Sequence, residues 1–146
     1  MDEFLIPHAN FKRLYEEYKK YGSLGIGVDF DNTIFDYHKK GYKYESVINL
    51  VIRAQELGNK IFIFTANPDH EKVKQHCKEN GIVIEGINIG LGLDWETSKP
   101  FYSILLDDRA GLISAYEDLL QLVSALEMEL MEDMEDMEFN DEIKLN

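Results

Sequence analysis

Basic residues are scarce in this chain: 15 Lys and Arg stand against 28 Asp and Glu, a formal net charge of −13. Nine of the acids fall between residues 127 and 146, where Lys144 is their only counter-charge; that segment carries −8 and the rest of the chain −5. No stretch offers the basic stripe that tracks a phosphate backbone, so duplex nucleic acid is not an expected partner, although a single phosphate can still be held locally. Cysteine is almost absent. Cys77 stands alone, which excludes an internal disulfide and fits a reducing compartment. Three prolines and no Gly/Ser-rich run leave no evident linker, and no repeat of solenoid period is present. No apolar run approaches membrane-spanning length, and MDEFLIPHANF carries acids where a secretory leader would carry bases. A soluble, cytoplasmic protein with no membrane partner is the expectation.

What is present suits one domain, since 146 residues can bury about two thirds of their unfolded surface. The domain is expected over 1–126, with an amphipathic helix at 7–21 (Phe11, Leu14, Tyr15 and Tyr18 on one face, Gly22 as the stop) and a core at 24–125. Leu24 to Phe30 reads as a buried strand, and Tyr44 to Leu57 as a helix closed by Gly58-Asn59. Lys60 to Thr65 is apolar on both faces, as in a covered parallel sheet. Asn67-Pro68-Asp69 turns into a helix that ends near Asn80. Ile82 to Ile84 and Ile87 to Ile89 are rival strand candidates, Gly90 to Pro100 reads as a loop, Phe101 to Leu106 as a strand, and Leu112 to Leu126 as a helix. Residues 127–146 form an acidic, Met-rich tail or an extension of that helix, a candidate surface for a partner or a second copy of the chain. Strands alternating with helices predict an α/β domain: a Rossmann-like three-layer α/β/α arrangement with a mainly parallel sheet, whose functional residues gather outside the carboxyl ends of the strands.

The polar residues fall at those ends. Asp29 and Asp31 follow one apolar strand, Thr65 ends a second, Asp107 and Asp108 end another, and Lys99 lies shortly before that last strand. Four carboxylates at one sheet edge repel one another unless a hard divalent cation joins them, and an all-oxygen set points to magnesium. A carboxylate beside that ion can attack phosphorus to give an aspartyl phosphate, while a hydroxyl and an ammonium hold the other phosphoryl oxygens.

Together these segments resemble the haloacid dehalogenase (HAD) superfamily. Its first motif stands here as Asp29-Phe30-Asp31-Asn32-Thr33, its second as Ile-Phe-Ile-Phe-Thr65, its third as the Lys99 of Ser-Lys-Pro-Phe-Tyr, and its fourth as Ile-Leu-Leu-Asp107-Asp108. The resemblance covers about residues 24–125 and implies a HAD-like phosphatase: Asp29 as nucleophile and metal ligand, Asp31 as acid and base with its backbone carbonyl on the metal. It further implies Thr65 on a phosphoryl oxygen, Lys99 paired with Asp29 and the phosphate, Asp107 completing the Mg²⁺ shell, and Asp108 either ligating or bonding a metal-bound water. Many members carry Gly where Asn32 stands, a position Asn tolerates well. Neither interval in which the superfamily inserts a cap is long enough for one, so a minimal, capless form with an open site is expected. The expected substrate is a small phosphorylated metabolite, a nucleotide or a sugar phosphate.

Two other classes compete. A receiver-like phosphate-accepting module also combines acids, Thr and Lys around magnesium, but it places its acid pair first and its acceptor Asp later, the reverse of the order here. A non-catalytic interaction protein on the same scaffold would work through the acidic tail. Tyr37, His38, Tyr42 and Trp95 are candidates to line the entrance, against the plainer reading of ordinary surface aromatics. His8, His38, His70 and His76 lack zinc-like spacing, Cys77 reads as a small buried apolar residue, and Arg109 as an anchor for a neighbouring carboxylate.

Overall fold

A computed structural model describes residues 2–92 and 98–145 of the chain. After a 3₁₀ turn at Glu3–Leu5 come α1 (Ala9–Tyr21), β1 (Gly25–Val28), α2 (Glu45–Glu56), β2 (Lys60–Ile63), α3 (His70–Glu79), β3 (Ile84–Ile87), β4 (Ile104–Leu106) and α4 (Leu112–Leu145). The ends of these elements are chemically marked. Gly22 stops α1 with φ of 74° and its N–H on the Tyr18 carbonyl at 2.7 Å. The buried Asn59 side chain accepts from Leu24 N–H at 2.8 Å and donates to the Ala54 carbonyl at 2.9 Å, tying the end of α2 to the start of β1. Asp69 caps α3 by accepting from Lys72 N–H at 3.1 Å.

The four strands form one all-parallel sheet in the order β3-β2-β1-β4, an arrangement compatible with a Rossmann-like fold. Ile26 pairs with Ile61 and Ile104, and Val28 with Ile63 and Leu106, so these six side chains project from the same face. They are buried in a single core with Leu14 of α1, Val47, Val51 and Ala54 of α2, Val73 and Cys77 of α3, and Leu119, Leu122 and Leu126 of α4. The described helices therefore share one face of the sheet. A helical layer on the other face, expected for a three-layer domain, is not found among the described residues. That face is covered by the irregular crossover from β3 to β4, where Leu91 lies over Gly25 and Tyr102 over Gly27. The approach is close enough that a Cβ on Gly27 would sit 2.6 Å from the Tyr102 ring, so glycine at this position is what lets the crossover lie flat on the sheet.

One segment differs from the sequence reading, and in another the structure takes one of the two alternatives that the sequence leaves open. β3 runs through Glu85-Gly86, which the sequence reads as a break between rival strands: its pairing with β2 slips there from Ile61–Ile84 to Phe62–Gly86, so Glu85 is bulged out, and Ile89 packs so closely on Gly86 that a Cβ would not fit. The acidic tail is helical through Leu145, continuous with α4, which at about 1.5 Å per residue makes a helix on the order of 50 Å long. Arg53 on Glu127, and Tyr15 and Lys19 on Glu129, tie it to α2 and α1; residues 131–145 are all exposed. Deleting 131–145 is accordingly expected to change the free energy of unfolding by less than about 0.5 kcal/mol, whereas Leu122→Ala in the same helix should cost about 2–5 kcal/mol; urea denaturation of both variants measures the contrast. No described helix is long and apolar enough to cross a membrane.

Candidate active site

The sheet order creates a crevice at the carboxyl edge. β1 has β2 on one side and β4 on the other, so the residues after these three strands come together at one edge of the sheet and line one cleft. Asp29 follows β1 with its N–H on the Leu106 carbonyl at 2.8 Å, which sets it beside Asp107 and Asp108 at the end of β4. Oxygens of Asp29, Asp107 and Asp108 lie within 4.8 Å of one another.

Residues 30–35 fold back at once behind Asp29. Thr33, Ile34 and Phe35 all direct their N–H groups at the Phe30 carbonyl, and Asn32 takes φ of 61° at the tip with its N–H on the Phe35 carbonyl. The Phe30 and Phe35 rings stack at 4.9 Å, both meet His76 edge-on, and His76 Nε2 lies 2.7 Å from the Ile34 carbonyl. This packed turn buries Thr33 completely. Its hydroxyl donates to Asp29 Oδ2 at 2.9 Å and accepts from Asp108 N–H at 3.1 Å, joining the two acidic loops. Thr33→Val removes both bonds and strands the Asp108 amide, so unfolding should become easier by about 1–3 kcal/mol, with Thr33→Ser restoring most of the loss in urea melts.

Burial pushes the Asp29 carboxyl up to about 7; the Asp108 hydrogen bond and the Asp107 charge add to the rise, while the Thr33 hydroxyl and the Phe30 N–H oppose it. Because this value exceeds the ordinary one of 3.8, the folded chain holds a proton that the unfolded chain has released between those two pH values. Stability without a divalent cation should therefore fall as pH rises from about 4 through 7. Discounted for the half-exposed position of the group, the effect is about 1–2 kcal/mol. It is read as the difference between wild-type and Asp29→Asn denaturation profiles in chelator, a difference that should vanish near pH 4.

Asp31 lies apart from the three-carboxylate group, with its two oxygens facing the Asn67 amide at 3.3 and 3.4 Å. Asn67 is itself held: its Oδ1 accepts from Asp69 N–H at 3.0 Å, which turns the NH₂ towards Asp31. Thr65, nearly buried, has its N–H on Asn88 Oδ1 at 2.8 Å and its Oγ1 accepting from Asn67 N–H at 3.0 Å. The Thr65 hydroxyl proton therefore remains to be donated elsewhere.

Asp29, Asp31, Thr65, Asp107 and Asp108 all line one open cleft of about 840 Å³. Lys99 is exposed on the crossover into β4, between Ser98 and Pro100, both of which line the cleft. Arg109 lines it too, and its N–H donates to Asp107 Oδ1 at 2.8 Å. Of the four aromatic candidates for the entrance, Tyr37 and His38 border the cleft, Tyr42 borders a separate groove against α2, and Trp95 lies outside the described residues. Cys77 is buried in the core, its thiol pushed up to about 11 by burial. Sequence reasoning assigned no role to Thr33, Asn67 or Asn88. The first was visible only as a motif letter, the second as part of a turn, and the third was hidden in an apolar strand candidate. Comparison of the chain with protein-family models, with curated proteins and with solved structures finds no match.

Proposed function

We propose that the chain is a magnesium-dependent phosphomonoester hydrolase that works through an aspartyl phosphate on Asp29, on a HAD-like scaffold. The observation that carries this reading is the meeting of Asp29, Asp107 and Asp108, with oxygens within 4.8 Å, in a cleft that also holds Asp31 and Thr65. An all-carboxylate oxygen set fits a hard dication, and burial first, with the neighbouring Asp108 and Asp107 adding to it, makes the charged form of Asp29 costly until a positive charge balances it. Asp29, Asp107 and Asp108 would hold the ion, with the Asp31 backbone carbonyl as a further donor. Magnesium there would keep Asp29 ionised and neutralise charge on the phosphoryl group.

The remaining work falls to the chain's own side chains. An Asp29 carboxylate oxygen attacks phosphorus, the bond from phosphorus to the ester oxygen breaks, and Asp31 hands its proton to the departing alkoxide. Asp31 then takes a proton from water; the water oxygen bonds to phosphorus as the bond to Asp29 breaks, which releases phosphate and restores both carboxyl groups. Thr65 donates its hydroxyl proton to a phosphoryl oxygen, and Lys99 neutralises charge from the crossover. Asn67, which lines the same cleft, holds Asp31 in position through its side-chain amide.

A panel of phosphorylated metabolites assayed with Mg²⁺ and again with EDTA tests this reading. Phosphate release that requires the metal is the expected result. Release unaffected by chelation, or none from any monoester, would discard it.

A further inference from the structure

The cleft is far wider than a phosphate group requires. Its volume of about 840 Å³ lies within the range of about 300–1,000 Å³ typical of sites that enclose a whole organic ligand. Three aromatic side chains line it outside the acidic group: Tyr37 and His38 beside each other after β1, and Phe64, whose ring lies 5.9 Å from that of Tyr102, after β2. Tyr37 is 57% exposed and Phe64 37%, large ring areas left in water beside the site where Asp29 sits. The Tyr37 and His38 rings meet edge to face at 5.1 Å, so each fixes the other's orientation.

Their loop is tied down as well. The Asp36 carboxylate accepts from Lys40 N–H at 3.1 Å and from Gly41 N–H at 2.6 Å, closing the turn that carries both rings. Rings held in this way lose little freedom when a ligand stacks on them. Charge narrows the ligand further. The described residues lining the cleft bring four carboxylates and the Arg109 guanidinium, with Lys99 beside them on the crossover; with a dication the charges balance before any phosphate enters, which suits one phosphate and disfavours a second further out.

We propose that the substrate is a nucleoside 5′-monophosphate whose planar base stacks on the rim formed by Tyr37, His38 and Phe64. The proposal rests on the phosphomonoester reading for the phosphate end only. Stacking of a base on an aromatic side chain strengthens binding about tenfold or more, an advantage a bare sugar phosphate does not share.

The test compares adenosine and cytidine 5′-monophosphates with ribose 5-phosphate in Mg²⁺. All three lose the same kind of primary alcohol, so the base is what differs. The expected kcat/KM for the nucleotides is at least about tenfold higher, with the difference in KM, and the ratio should shrink to within about threefold in a Tyr37→Ala/His38→Ala double variant. Equal turnover of nucleotide and ribose phosphate, or a ratio untouched by the double variant, would overturn the proposal.

If no monoester is hydrolysed, the phosphatase reading fails by itself, and calorimetric binding of adenosine monophosphate against ribose 5-phosphate decides the rim. Tighter nucleotide binding that the double variant loses supports it; equal or undetectable binding overturns it. Should the double variant fail to fold by circular dichroism, Asp36→Ala keeps both ring residues but unties the loop that holds them. That variant should lower the same ratio, and an unchanged ratio counts against the rim.

Discussion

An Asp29→Asn variant is expected to lose at least about 10³-fold in magnesium-dependent phosphate release while keeping its fold, because the amide can neither attack phosphorus nor hold a metal as an anion. The retained fold follows from the surroundings. Asn is isosteric, the backbone N–H still meets the Leu106 carbonyl, and the side-chain oxygen can still accept from Thr33. Removing a charge that burial, and then Asp108 and Asp107, make costly should even stabilise the variant at neutral pH without metal, as the raised Asp29 carboxyl requires. Activity by malachite-green assay and stability by urea titration are measured on the same preparation. Full activity in a folded variant would remove Asp29 as the nucleophile and the aspartyl phosphate with it.

The second large effect is expected from Asp31→Asn and should depend on the leaving group. A poor leaving group such as a primary alcohol needs the proton from Asp31, whereas 4-nitrophenolate departs unaided. Loss of general acid catalysis is worth about 10²–10⁴-fold, so alkyl phosphates should suffer by that factor in the first step and aryl phosphates much less. With no base to deprotonate water, the phosphorylated Asp29 should then accumulate, giving one burst of nitrophenol per chain followed by slow turnover. Rapid-quench kinetics together with intact-protein mass spectrometry would detect the covalent phosphate as added mass. Equal losses on alkyl and aryl esters, with no burst, would show that Asp31 does not act as acid and base. Asn67→Ala should show a weaker form of the same pattern, since it frees Asp31 without removing it.

Much of the architecture could be read locally. Alternation of Ile26 and Val28 with glycine, the two-faced apolar run through Ile61 to Ile63, and the helical stripes of α1 and α2 each bury a face that their own spacing defines. Reading failed where burial is decided by a partner. Glu85-Gly86 reads as a break because isolated glycine weakens a strand, yet β3 passes through it with a bulge at Glu85, paired to β2 on both sides and covered by Ile89. That the described residues place no helix on the other face of the sheet was not legible either, since nothing local says that Tyr102 will lie over Gly27. Among the site residues, acids at strand ends were conspicuous. Asn67 and Asn88 were not, because an amide that positions a neighbour has no spacing of its own.

The order of residues along the chain was enough to settle that helices separate β1, β2 and β3 and that Asp29, Thr65 and Asp107 each stand just past a strand, because side-chain periodicity is a property of neighbouring residues. Which carboxylates meet was decided only in three dimensions. Placing β4 beside β1 joins segments about 80 residues apart, draws Asp107 and Asp108 to Asp29, and leaves Asp31 to Asn67. Pairing at that separation depends on the whole core packing at once, and no short stretch of sequence encodes it.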